Sequence, residues 1–290
     1  MLITIQNDKL KLTVDTFGAQ MMALEDANGT QYLWDGNPQY WSGRAPVLFP
    51  FIGRLTNNSY CLRGKPYSMG IHGFAKSQAF SVEQQTDDSL TLLLTENEAT
   101  LAQFPFAFAL RITYALKDSQ VQVRYEVENH SETTMPFGLG GHPGFRVPMA
   151  QGDVFSDYVL EFTEKCQPDR VGFTPSVYLS GQDERYPLEN GNCIRLRHEL
   201  FDDAIILKNM DREITLRSTK SGAGLRVTYL RMPYLGIWHM PKTDAPYVCI
   251  EPWTSLPARQ DVVEEFTCKS DLIQLPSSEN YENEWSITIL

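Results

Sequence analysis

Three features of this sequence predict an all-β fold, a large antiparallel β-sandwich with very little helix. Polar and apolar residues alternate in short runs from one end to the other. Turn-forming clusters separate those runs at short intervals, among them DANGT, TNNS, DDS, KDS, GQDE, NMD and KSGAG. Nowhere do strand-like runs alternate with helical stretches as a parallel α/β fold requires.

Taken in order, LITIQ and KLKLTV open the chain as two strands. GRAPVLFPFIGRL is apolar but rich in Pro and Gly, so it reads as a buried, irregular connection. AFSVEQQ, SLTLLLTE, FALRITYAL and VQVRYEVEN follow as strands. In the last of these Val121, Val123, Tyr125 and Val127 share one face, while Gln122, Arg124, Glu126 and Glu128 share the other. Between them TENEATLAQFPF predicts one short helix, capped by Thr95 or Asn97 and ended near Pro105, and RHELFDD predicts a further helical turn. YVLEF, CIRLR, AIILK, EITLRS, LRVTYL, LGIWHM, YVCIE and SITIL complete the strand set.

A chain of 290 residues with no internal repeat and no low-complexity linker is expected to form a single domain over 1–290. Its net charge of −11 argues against nucleic acid or an anionic membrane as partner. MLITIQNDKLKLTV lacks the basic-then-apolar pattern of a secretory leader, and no apolar run is long enough to span a bilayer. The five cysteines are scattered and without CxxC spacing, which fits free thiols in a reducing cytoplasm and argues against a structural zinc. A cytoplasmic monomer or weak homodimer is expected.

The chemistry-bearing residues fall in a few places. GGHPGFRVP sets His142 between glycines and a proline, where it should belong to no regular helix or strand, and IHGFA sets His72 in a similar context. Such histidines either fill turns or are aimed at a ligand, and both readings stand at this point. Glu251 closes the apolar run YVCIEPW beside Trp253. A carboxyl there is either an exposed strand-end acid or a desolvated base with a raised pKa. Arg54 sits in an apolar stretch, where an unpaired guanidinium is costly, so it should meet a carboxylate or a ligand oxygen. Asp202 and Asp203 precede the apolar run AIIL. Trp34, Tyr40, Trp41, Phe74, Phe145, Trp238 and Trp253 supply flat apolar faces suited to a sugar ring. His72 and His142 lie far apart in sequence and no HxH occurs, so no metal site is expected.

GAQMMAL, YLWDGNPQYW, PVLFPFIGRL, IHGFA, GLGGHPGF, FDDAIIL and YVCIEPWTS, in this order, resemble the aldose 1-epimerase (galactose mutarotase) family and its smaller LacX-like bacterial branch. The resemblance implies a galactose mutarotase-like supersandwich with an open cleft. It implies interconversion of the α and β anomers of a free aldose, with no cofactor. It assigns the general base to Glu251, the general acid to His142, and sugar binding to His72, Arg54 and Asp203, with Asp202 as the alternative aspartate; Trp253 is a candidate stacking face. The two proton-transfer groups should act from opposite sides of the ring. The pH profile should be bell-shaped, its acidic limb set by the carboxylate and its basic limb by the imidazolium. Arg44, Arg54, Arg63 and Lys76 flank the expected cleft, which keeps a hexose 6-phosphate open as substrate, and a non-catalytic sugar-binding protein on this fold is the other alternative.

Overall fold

The alternating runs become 25 strands in a computed structural model that describes all 290 residues. One α-helix, Glu98–Gln103, accompanies them, with a few 3-10 turns. Asn97 caps that helix by accepting from the Thr100 N–H at 3.0 Å, one of the two expected caps. RHELFDD forms a 3-10 turn over His198–Phe201. Every ladder between strands is antiparallel except one short parallel pair, Glu264–Glu265 with Ser59–Leu62. No helix is long and apolar enough to cross a membrane.

The largest sheet has nine strands, from Cys193–Arg195 at one edge to Ser81–Gln85 at the other, with Asn280–Ile289 and Gln120–Asn129 at its centre. The alternation read in VQVRYEVEN is the pleat of its central strand: Val121, Val123 and Val127 are wholly buried and Tyr125 nearly so. Each such fully buried large side chain contributes roughly 1.5–3 kcal/mol by leaving water. The second large sheet has eight strands, with Ile205–Lys208, Tyr234–Trp238 and Tyr247–Trp253 side by side. One main core joins the two sheets, with Val121, Tyr125 and Ile287 from the first and Ile237, Val248 and Ile250 from the second.

Tyr247–Trp253 is buried on both faces. Val248 and Ile250 point into the main core, whereas Tyr247, Cys249 and Trp253 pack in smaller clusters outside it. Glu251 belongs to that second face. It therefore lies inside the strand rather than at its end, because the strand continues through Pro252 to Trp253. On one side the ladder runs from the Ile250 N–H to the Pro143 carbonyl (3.2 Å) and from the Thr254 N–H to the Leu139 carbonyl (3.0 Å). Pro252, between them, has no N–H to give, so the sheet accommodates it as one missing rung.

Candidate active site

The neighbouring strand is interrupted beside that missing rung. Gly140–Gly141 and Gly144–Arg146 are short strands with His142 and Pro143 between them. The register nevertheless continues: Gly140 lies opposite Trp253 and Gly144 opposite Cys249, which places His142 opposite Glu251. His142 is thus aligned with the sheet although outside its hydrogen-bonded strands. Glu251 in turn faces Gly236 on its other side, and Gly236 faces Ile206. Ile206, Gly236, Glu251 and His142 form one row across the outer face of the sheet. All four line a cleft of about 410 Å³.

Close approach explains the glycines around His142. A Cβ on Gly141 would lie 2.8 Å from Trp285 of the opposing sheet, and one on Gly144 would lie 3.1 Å from the Trp41 ring. None of Gly140, Gly141 and Gly144 has a positive φ; the left-handed backbone belongs to the other motif. His72 has φ +63° and Gly73 φ +70°. A Cβ on Gly73 would overlap the Phe49 carbonyl oxygen at 2.2 Å. The His72 ring is fixed by the Gly53 N–H, which donates to Nδ1 at 3.1 Å. Its proton therefore sits on Nε2, free to donate to a ligand.

The two histidines of the similar motifs meet in this cleft, with ring centroids 5.5 Å apart and near perpendicular. Trp41 packs on His142 at 4.9 Å, and Trp238 closes the other side at 5.7 Å. His142 Nε2 and Glu251 Oε2 are 3.2 Å apart. They are not aligned for a hydrogen bond, and Oε2, His142 Nδ1 and the Trp253 indole N–H are all buried without a partner. Unpaired buried polar atoms are costly, so a cleft that leaves three of them suits a polar ligand. Burial pushes the Glu251 carboxyl well above the usual range and the His142 imidazole down to about 3. In the free protein one proton therefore resides on Glu251, with His142 neutral. That reverses the expected order of the two pKa values. Burial also holds His72 neutral, aided by the charges of Lys76 and Arg54 and any charge on His142.

Of the residues singled out from sequence, the structure brings His142, Glu251, His72, Arg54 and Trp253 to one cleft, with Trp41, Trp238 and Lys76. Asp203 is not among them. It lines a second cavity, of about 510 Å³, with Arg170, Arg195 and Arg197. Asp202 is exposed and accepts from the Lys242 N–H at 3.0 Å. In this turn both carboxylates precede the strand that reaches the cleft, and only Ala204, Ile205 and Ile206 line it. Arg44 points elsewhere, donating to the Met22 carbonyl at 2.6 Å, and Arg63 is exposed with its N–H on Glu265. Glu251 and His142 lie side by side on one wall, rather than on opposite sides of the space a sugar would fill. Gly236, Ile206, Phe173 and Val177 also belong to the lining. Sequence reading did not single these four out, because nothing in an isolated glycine or an apolar loop residue marks which space it borders.

The twin large sheets and the cleft on one of them define a galactose mutarotase-like β-protein. The profile of the aldose 1-epimerase family matches residues 1–287. A galactose mutarotase related enzyme from Lactobacillus acidophilus superimposes with TM-score 0.95 at 33% identity, over 100% of this chain and 97% of that one. A galactose mutarotase-like protein from Lactobacillus casei gives 0.93 at 32% identity, over 100% of both chains. The chromosomal LacX protein of Lactococcus lactis is 33% identical over the full length of both. The chain belongs to the aldose 1-epimerase family.

Proposed function

We propose that this protein interconverts the α and β anomers of a free aldohexose, with Glu251 as general base and His142 as general acid. The observation that supports it most is the opposition of those two groups, 3.2 Å apart, on the wall of a cleft large enough for one sugar. In the hemiacetal O1 and O5 are both bonded to C1, so two adjacent groups can address both. Glu251 removes the proton from O1 as His142 delivers one to O5. The C1–O5 bond breaks, its electron pair going to O5, and C1=O forms. Rotation about C1–C2 exposes the other face of the aldehyde, and the reverse transfers close the ring. Each cycle leaves the protein's proton count unchanged, and no cofactor is needed.

His72, with its Nε2–H free, and Arg54 would hold ring hydroxyls, and Trp253 would give an apolar face. The reaction needs Glu251 ionised and His142 protonated, the minor arrangement of the single proton in the free cleft. A sugar that hydrogen-bonds to both groups offsets part of that cost.

A second reading, a hexose 6-phosphate as substrate, draws on one feature. Arg54 and Lys76 line the cleft, and neither has an ion-pair partner within reach. Polarimetry on freshly dissolved α-glucose and α-galactose, beside their 6-phosphates, tests both readings. Acceleration over the buffer rate is expected for at least one series; binding without acceleration of any would make this a sugar-binding protein instead.

A further inference from the structure

Cys249 has no part in the chemistry above, yet it is wholly buried beside it. It precedes Glu251 by two residues on the same strand and so shares its face. Gly144, opposite Cys249 in the ladder, has no side chain, and Trp34 and Trp41 fill the space beside it. One donor atom from each of His142, Cys249 and Glu251 lies within 4.8 Å of the others. One of these donors is already exceptional: Glu251 Oε2 is buried and without any partner.

We propose that His142, Cys249 and Glu251 form a binding site for a zinc-like divalent cation, and that the cation excludes the sugar. Bonds of about 2.0–2.3 Å in a tetrahedral site put its ligand atoms roughly 3.3–3.8 Å apart. The 3.2 Å between His142 and Glu251 already approaches that spacing, so the thiol has to close by no more than about 1 Å. A sulfur, nitrogen and oxygen set selects zinc-class metals over Mg²⁺ or Ca²⁺, which prefer all-oxygen shells. Three protein ligands leave a fourth position open toward the cleft, for water. Binding displaces the thiol proton and the carboxyl proton, so affinity rises with pH. The metal occupies the imidazole and the carboxylate that proton transfer needs, and it therefore inhibits. The inhibition rests on the proposed epimerase reading; the binding does not.

The test uses full-length protein stripped with EDTA, which is then removed, and Co²⁺ as a spectroscopic probe. Co²⁺ should bind at one equivalent with a thiolate charge-transfer band and the intense visible bands of tetrahedral coordination. Zn²⁺ should displace it, and Mg²⁺ should not. Cys249→Ser, or Cys249→Ala if the serine variant does not fold, should abolish the charge-transfer band, whereas Cys268→Ser, at an exposed thiol, should keep it. In anomer equilibration, Zn²⁺ should inhibit the parent about ten-fold or more tightly than the Cys249 variant, each measured against its own metal-free rate. Absence of the band in the parent, its survival in both Cys249 variants, or equal Zn²⁺ inhibition of parent and variant would overturn the proposal. A protein that equilibrates anomers but shows no band loses only the metal site. One that shows the Cys249-dependent band but never accelerates equilibration keeps the site and loses the epimerase reading.

Discussion

Gly236→Ala places a single methyl group against the cleft wall that carries Glu251. Its Cβ would lie 3.1 Å from Glu251 Cβ, 3.1 Å from Trp253 Cζ2 and 3.3 Å from Glu251 Cδ. All three contacts are tighter than ordinary van der Waals separation, and the strand carrying Glu251 and Trp253 is buried on both faces. The Glu251 side chain must therefore give by a few tenths of an ångström. Overpacking costs about 1–3 kcal/mol, while replacing glycine in a strand returns about 0.5–1 kcal/mol. The net loss is therefore about 2.5 kcal/mol at most, several degrees in Tm for a chain of this size. Rate should suffer more. A misplacement of about 1 Å can cost 10²-fold, so a shift of a few tenths predicts kcat lower by roughly ten-fold. Polarimetry at a temperature where the variant is folded reads the rate, and a thermal melt reads the stability. Gly224→Ala is the control: its Cβ would meet the Leu216 carbonyl at 2.3 Å in the nine-stranded sheet. It should lose more stability yet keep its rate while folded. If Gly236→Ala equilibrates anomers as fast as the parent and Gly224→Ala does not, the row through Gly236 and Glu251 is not the reacting wall.

Other outcomes follow from the same geometry. EDTA should leave the rate intact or raise it; loss of activity restored by a divalent ion would show that metal is required. His72→Asn removes the Nε2–H donor, so KM should rise while the pH profile keeps its shape; a lost limb would give His72 the acid's role. The profile of kcat/KM reports the free protein, in which Glu251 is raised and His142 lowered to about 3. If, as proposed, the singly protonated pair is the active form, the acidic limb should belong to His142 and the basic limb to Glu251, the reverse of the ordinary order. His142→Asn should accordingly slow turnover by about 10²-fold or more and remove the acidic limb; loss of the basic limb instead would restore the ordinary assignment.

The strands were legible because alternation reports the pleat itself, as Gln120–Asn129 shows residue by residue. His72 and His142 could be paired from their shared Gly and Phe neighbours, and the cleft unites them. What the local pattern could not carry was direction across space. FDDAIIL offers two carboxylates before a strand, but which way that turn faces depends on Arg170 and Lys242, remote in sequence. The glycines about His142 mark a break in regular structure but do not reveal that they admit Trp285 and Trp41. That need is set by the opposing sheet and by a loop a hundred residues away, not by neighbours in the chain. The pKa order is not legible in the sequence for a related reason: a strand-end acid would be half solvated, and Glu251 is 2% exposed inside a strand.

Glu251→Gln tests the central claim most directly. The substitution keeps the shape of the side chain and removes its ability to accept a proton. A carboxyl with a raised pKa is stable when protonated, and its stability contribution is lost as pH rises through the folded pKa. The Gln variant should therefore melt at or above the parent's temperature, by a margin that grows with pH, which excludes misfolding as the cause of any lost rate. Anomer equilibration of fresh α-galactose or α-glucose, followed by polarimetry at neutral pH, should fall by about 10²-fold or more in kcat. Equilibration at the parental rate by a stably folded Glu251→Gln protein would contradict the account, because the proton on O1 would then be leaving to some other group.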